Sequence, residues 1–358
     1  MFTGMIKMDR IITFAQAINE AQFQLLESDP KVLIMGLGVP SPTGVFGSTT
    51  GLQKAFGSNR VLDIPAAENG MTGIALGTAI AGMRPIMVHS RVDFSLLSMD
   101  PIVNQAAKWR YMYGGKTNAS LTIRMIIGRG WGQGPQHSQS LHSWLAHIPG
   151  LRVLMPTTPS DAKGMLINAV NSLQPTIIFE HRWLFGISGH VDKHMYKVKY
   201  GSAAVRKIGN DITLIGNSYM TIECIEAAKI LETMGISTEV VDLRSISPLD
   251  VQTLVKSVSK TKRMVVVDNG HIDFGISGEV VSKVIENLDV PLLCKPKRFG
   301  FPHTPTPTAY SLSELYYPRI IDIIEFVAKL FNTNVPSTAL QSLNKFTDVP
   351  NHNFIGPY

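Results

Sequence analysis

The feature that most constrains the fold is an alternation repeated along most of the chain. Short runs rich in Val, Ile, Leu and Met are separated by segments whose apolar residues recur at helical spacing. Residues 32–36, 86–89, 121–127, 152–155 and 176–180 read as strands. Residues 11–26, 71–83, 102–113 and 160–172 read as helices, the last opened by Thr158-Pro159-Ser160-Asp161, a hydroxyl, a proline and an acid ahead of the apolar period. Strands that alternate with helices predict an α/β domain with a mainly parallel sheet, because parallel neighbours need a crossover between them. The alternation breaks between residues 184 and 200, where Gly186, Ser188, Gly189, His190 and several lysines follow without a period. This segment is expected to connect two domains. A second set follows, with strands expected at 212–215, 238–242, 263–268 and 290–295, and helices at 219–234, 249–257, 277–288 and 311–331. The fold class expected is therefore α/β, with two open, mainly parallel-sheet domains in succession.

Composition agrees with two packed domains. A chain of 358 residues holds two domains at about 150 residues each. Hydrophobic residues make up 44% and charged residues 17%, which supplies core material and excludes a wholly disordered chain. Thirty-three Lys and Arg against 27 Asp and Glu leave a charge of +6, yet like charges never run to five, so no nucleic-acid-binding tail is expected. The excess base leaves side chains to line a site for an anion. Cys224 and Cys294 form no CxxC pair, which argues against a structural zinc site or a disulfide framework. No apolar core marks the first ten residues as a leader, and no apolar stretch reaches the roughly 18 residues of a membrane span. A cytoplasmic globular protein is expected, with neither membrane nor nucleic acid as partner.

Three constellations carry possible chemistry. Asp63-Ile64-Pro65-Ala66-Ala67-Glu68-Asn69-Gly70 runs from a strand end into a helix, the place where open α/β sheets bind ligands. Glu68 is either a functional carboxylate there or an acid that favours the positive end of the helix dipole. Gly70, Gly73, Gly77 and Ala81 follow at three- and four-residue steps, so one helix face is bare enough for another backbone to approach closely, plausibly between subunits. The second constellation is the loop from Gly128 to Gln139, with Arg129, Trp131 and His137 among its glycines. It is neither a Walker A sequence nor a helix-opening GxGxxG. His137 is a proton donor or acceptor near neutral pH, or a loop histidine bonded to backbone. His142 and His147 follow at five-residue steps, a poor spacing for one metal, and no metal site is expected. In the third, His89-Ser90-Arg91-Val92-Asp93-Phe94, Phe94 either stacks on a planar ring or packs in the core.

Taken in order, Ala67-Glu68-Asn69-Gly70-Met71-Thr72-Gly73, Asn104-Gln105-Ala106-Ala107-Lys108, Gly114-Gly115, Gln136-His137-Ser138-Gln139 and His147-Ile148-Pro149-Gly150-Leu151 resemble one family. It is the β subunits of the thiamine-diphosphate-dependent 2-oxo acid dehydrogenases, the decarboxylating component of the pyruvate and branched-chain complexes. Asp242-Leu243-Arg244-Ser245-Ile246-Ser247-Pro248-Leu249-Asp250, Pro305-Thr306-Pro307 and Ser313-Glu314-Leu315-Tyr316-Tyr317-Pro318 keep the register, so the likeness covers roughly residues 8–330. It implies a pyrimidine-binding domain at 8–195, a transketolase C-terminal-type domain at 200–335 and an extension at 336–358. Glu68 then matches the glutamate that hydrogen-bonds the aminopyrimidine of thiamine diphosphate and helps the cofactor lose its thiazolium proton. Phe94 matches the aromatic residue packed on the pyrimidine. His137 matches the active-site histidine that meets the substrate carboxylate or stabilises charge along the acyl-transfer path.

The resemblance also implies what lies elsewhere. The family holds the cofactor diphosphate and Mg²⁺ with a Gly-Asp-Gly motif ending in paired asparagines, and this chain has neither. Those groups are expected on a separate α subunit in an α₂β₂ heterotetramer, with a lipoyl acyltransferase as a further partner and a 2-oxo acid as substrate. Some β subunits also hold a monovalent cation through backbone carbonyls, here around residues 169–174. Three departures stand out. Gly36-Leu37-Gly38-Val39 lacks two acids usual after the first strand, which should change how Glu68 exchanges its proton. Arg91 replaces a small or apolar residue, and Arg129 and Trp131 fill a loop usually richer in small ones. Both arginines suit a carboxylate or phosphate, or else acids of the α subunit. The extension ends in Phe354-Ile355-Gly356-Pro357-Tyr358, a segment suited to docking on a partner. A transketolase-like or acyloin-forming half-enzyme, passing the unit to an aldehyde or sugar, is the alternative reading.

Overall fold

A computed structural model describes residues 10–128 and 132–337; Arg129, Trp131 and nearly all of the C-terminal extension lie outside the described residues. Fourteen strands are described: β1 (Ile11–Thr13), β2 (Val32–Gly36), β3 (Val61–Leu62), β4 (Arg84–His89), β5 (Thr122–Ile127), β6 (Arg152–Leu154), β7 (Thr176–His181), β8 (Ser188–His190), β9 (Ala204–Lys207), β10 (Ile212–Gly216), β11 (Thr238–Asp242), β12 (Ser245–Ser247), β13 (Met264–His271) and β14 (Lys297–Phe301). They form a seven-stranded sheet in the order β12-β6-β7-β5-β4-β2-β3 and a five-stranded sheet in the order β14-β13-β10-β11-β9. All pairings in the large sheet are parallel except that of β12 with β6. In the second sheet only β9 runs antiparallel. The two mainly parallel sheets are those the alternation predicts. Among the described residues, no helix is long and apolar enough to cross a membrane.

The differences from the sequence reading have local causes. Residues 11–13 open no helix: they pair antiparallel with β8, so the segment after 184 contributes a strand and is not only a connection. Thr13 then caps the helix Phe14–Ser28, its hydroxyl accepting from Gln16 N while the Gln16 side chain accepts from Thr13 N. The strand expected at 290–295 contains Pro291, which lacks the donor a sheet needs, and the edge position is taken by β14. The helix expected at 311–331 divides into Tyr310–Tyr316 and Ile320–Leu330 around Pro318, which cannot sit in a helix interior.

The two sheets share their cores. One apolar cluster joins Phe14, Ile18, Trp183 and Phe185 to Tyr219, Cys224, Val240 and Ile324. Polar contacts span the same boundary. Thr157 Oγ1 donates to Asp242 Oδ1 at 3.0 Å, Arg244 Nη1 donates to Asp161 Oδ1 at 3.0 Å, and Arg206 meets both acids. His142 Nε2 lies 2.8 Å from Asp268 Oδ1, with both side chains fully buried. Because β2 to β5 and β7 are parallel, their C-terminal ends open on one edge of the large sheet.

Candidate active site

Glu68 is the first residue of the helix Glu68–Ile80, which five residues separate from the end of β3. It is half-buried, and no side chain or backbone group among the described residues hydrogen-bonds its carboxylate. The helix is fixed from its inner face. Thr72, Ala75, Leu76 and Ala79 are buried, Thr72 Oγ1 donates to Ser98 Oγ at 3.0 Å, and Asn69 Nδ2 donates to the Leu97 carbonyl at 3.0 Å. Thr72 Oγ1 also lies 3.4 Å from His89 Nε2 at the end of β4. Burial pushes the His89 imidazole down to about 4, so a neutral ring supports this helix at ordinary pH. The outer face is bare: a Cβ at Gly70, Gly73 or Gly77 would meet nothing within 4 Å, and Ile74 beside them is exposed. Asp63 Oδ1 accepts from Gly38 N at 2.8 Å and from Ile64 N at 3.1 Å, so this exposed acid stands beside Leu37-Gly38 and ties the end of β2 to the end of β3.

Phe94 sits in the short turn of helix Val92–Ser95 that follows β4. Its ring is 37% exposed and stands edge-on to His137, with centroids 5.6 Å apart and planes at 86°. The structure therefore brings together these two residues from separate sequence motifs. Two side chains next to Phe94 pin the loop that carries His137. Asp93 Oδ1 accepts from Gln139 Nε2 at 2.9 Å and from Gln139 N at 3.3 Å, and Arg91 Nη1 donates to the His137 carbonyl at 2.7 Å. Burial pushes the Asp93 carboxyl up, against the pull of the Gln139 bonds, and pushes the Arg91 guanidinium down. Arg91 is only 8% exposed, so it holds the loop from beneath and does not stand open at a mouth.

Sequence reasoning passed over Arg182 and took in Gln133 and His89 only as members of their segments, without a role. Arg182 follows β7 as Arg91 follows β4, and that shared position after a strand end was the available signal. Its Nη1 donates to Gln133 Oε1 at 2.8 Å, the acceptor that Arg91 Nη2 also uses. Its guanidinium lies 5.5 Å from the centre of the Phe46 ring. Phe46, Leu37, Gly38 and Ser90 line a cavity of about 640 Å³ at the ends of β2 and β4. A larger cavity of about 1180 Å³ lies between Trp144, Leu249, Phe274 and Arg298 and touches none of Glu68, Phe94, Arg91 or His137. Among the described residues, no group of three or more His, Cys, Asp or Glu side chains is placed to hold a metal ion.

Comparison with known proteins agrees with the two-domain fold. The family model for the transketolase pyrimidine-binding domain matches residues 10–186, and that for the transketolase C-terminal domain matches residues 201–323. Fold and site thus define a transketolase-type pair of domains. A structure titled as a split-gene transketolase, inactive β4 tetramer, superposes with a TM-score of 0.73 at 22% identity, covering 90% of this chain and 98% of that one. The transketolase of Campylobacter jejuni gives 0.66 at 14% identity, and there the chain spans 47% of the larger protein. The β subunit of acetoin:2,6-dichlorophenolindophenol oxidoreductase from Cupriavidus necator is 38% identical over 88% of this chain and 96% of its own length. The pyruvate dehydrogenase E1 β subunit of Staphylococcus epidermidis is 39% identical over 88% of this chain and 97% of its own. The chain belongs to the β-subunit family of the thiamine-diphosphate-dependent 2-oxo acid dehydrogenases.

Proposed function

We propose that this chain is the β half of a two-chain enzyme that decarboxylates a 2-oxo acid and passes the acyl unit to a lipoyl group. The observation that carries the reading is Glu68, a carboxylate with no partner among the described residues, at the start of a helix packed against the segment that bears Phe94. That arrangement fits an aminopyrimidine: an acid for a ring nitrogen and an aromatic face for the ring. When bound, thiamine diphosphate would supply a carbon nucleophile that takes up the electron pair released with carbon dioxide. Glu68 would hold a proton at the pyrimidine nitrogen and assist its transfer. Phe94 would fix the ring plane. His137, seated against Phe94, would donate hydrogen bonds to substrate oxygens and stabilise the charge that develops there. Arg91 would complement the anionic substrate, as would Arg129, which lies outside the described residues.

The diphosphate and Mg²⁺ would sit on an α subunit, and the bare face formed by Gly70, Gly73 and Gly77 would receive a helix in an α₂β₂ assembly in the cytoplasm. A monovalent cation would bind backbone carbonyls around residues 169–174. The test is to measure mass by light scattering and thiamine diphosphate binding by calorimetry, for the chain alone and with its α subunit. Tight Mg²⁺-dependent binding only in the mixed assembly, followed by turnover of 2-oxo acids, is the expected result. Full turnover by this chain alone would refute the reading. Leu37 and Gly38 at the end of β2 favour a second reading, transfer to an aldehyde or sugar, which carbon–carbon product formation by the same assembly would detect.

A further inference from the structure

This inference rests on reading His137 as the histidine that meets the substrate. The first domain holds its loop through side chains. Arg91 Nη1 donates to the His137 carbonyl at 2.7 Å, Asp93 Oδ1 accepts from Gln139 N and Nε2, and Gln133 Oε1 accepts from Arg91 and Arg182. What these bonds leave open is the path of the backbone at Gly132 and Gly134. Both lie in the left-handed region, at φ 61° and 69°, where glycine gives the chain freedom to hinge. His137 N donates to the Gly134 carbonyl at 3.4 Å, so a shift of Gly134 is passed on to the histidine.

The second domain reaches this point. After β14 the chain passes through Pro302, Pro305 and Pro307, whose rings fix φ. Pro302 O lies 2.7 Å from His271 Nδ1, and Oγ1 of the buried Thr306 lies 3.1 Å from Tyr316 Oη. This stiff arm delivers Thr308 to the two glycines. A Cβ at Gly134 would stand 2.5 Å from Thr308 Oγ1, closer than carbon and oxygen pack, and one at Gly132 would stand 3.2 Å from Thr308 O and 3.8 Å from its Cγ2. Among the described residues beyond the chain neighbours, only Thr308 comes within 4 Å of either position. One branch of the threonine faces each glycine, and a β-branched side chain has little freedom at χ1 to leave that seat. We propose that Thr308 is a positioning residue, a wedge by which the second domain sets where His137 stands against the reacting substrate. It acts through Gly134 and touches no reacting group. The second domain thereby shares in the chemistry, although Glu68, Phe94 and His137 all belong to the first.

The test uses the full chain, alone and in the mixed assembly, with Thr308→Ala, Gly134→Ala and the double variant. On the chain alone, the carbon-13 signal of the His137 ring, assigned by its loss in His137→Asn, should shift in Thr308→Ala. The melting temperature should stay within about 2 °C, since Thr308 is exposed. In the assembly, Thr308→Ala should lower kcat for a 2-oxo acid about tenfold with KM within about twofold, because orientation is lost and binding is kept. Gly134→Ala drives a Cβ against Oγ1 and should lose about 10²-fold. Thr308→Ala leaves only its own Cβ, 3.7 Å from that position, an ordinary contact. The double variant should therefore recover about tenfold over Gly134→Ala, the left-handed backbone cost being common to both. The wedge is overturned if the His137 signal of Thr308→Ala matches wild type, if its kcat does, or if the double variant is no better than Gly134→Ala. A loss of kcat matched by a larger fall in melting temperature marks a merely structural residue and overturns it as well. A His137 signal that follows the wedge, in an assembly whose wild type turns over no 2-oxo acid, would keep the wedge and remove the function proposed above; turnover with an unmoved signal would remove the wedge alone.

Discussion

Glu180→Gln isolates one buried charge behind the site. Arg124, on β5, is fully buried and donates to both Glu180 oxygens, at 2.6 and 2.8 Å. Its remaining donors reach Gln22 Oε1 at 2.9 Å and Ser48 Oγ at 2.8 Å. Every contact is spoken for, so nothing solvates the guanidinium if Glu180 loses its charge. Removing one member of such a pair costs about 3–5 kcal/mol, and the amide keeps one acceptor, which places this variant near about 3 kcal/mol. For a unit of 150–250 residues that is a fall in melting temperature of about 6–12 °C. Calorimetric melting with urea titration reads both quantities. The double variant Arg124→Met/Glu180→Leu should lose less than the single one, since it leaves no unpaired charge. Ser48 belongs to the loop that carries Phe46, so hydrogen exchange of residues 45–50 should rise with Glu180→Gln. A single-variant loss below about 1 kcal/mol, or a double variant worse than the single, would refute this account of the network.

Glu68→Gln should lower turnover of the assembled enzyme by about 10²-fold or more, with stability unchanged to within about 0.5 kcal/mol because its carboxylate is half-buried and holds nothing in place. Stability should also depend on pH through His89, whose folded value lies near 4 against an ordinary 6.5. A depressed value means that the stabilisation is present above pH 6.5 and is lost as pH falls towards 4, by about 3 kcal/mol; His89→Gln should flatten that part of the urea-stability profile. Gly73→Leu adds a side chain where nothing lies within 4 Å, so the isolated chain should gain up to about 1 kcal/mol from helix propensity while light scattering shows loss of the mixed assembly.

Much of this architecture was legible from residue order alone. The alternating runs gave both parallel sheets, because strand and helix periods are properties of contiguous residues. The motif order marked Glu68, Phe94 and His137 at strand ends, where a parallel sheet presents its ligands. What the period could not show was pairing between distant segments. Ile11–Thr13 looks like the first turn of a helix until Ser188–His190 lies against it. Ser245–Ser247 joins the edge of the first sheet although it follows strands of the second. Pro291 and Pro318 shifted two boundaries through a missing donor, a local effect that a stricter reading of proline would have caught.

The sequence by itself determined the class of fold, the family and the residue types at the strand ends, since all three are written in local order and spacing. Only the tertiary structure decided what those residues do to one another. It turned Phe94 edge-on to His137 and buried His89 as a neutral support for the Glu68 helix. It also drew Arg91 away from the surface to share Gln133 with Arg182, 91 positions further along the chain. Burial and charge repulsion depend on which groups meet through space, and 49 residues separate Gln133 from Arg182 in the chain that the fold closes to 2.8 Å.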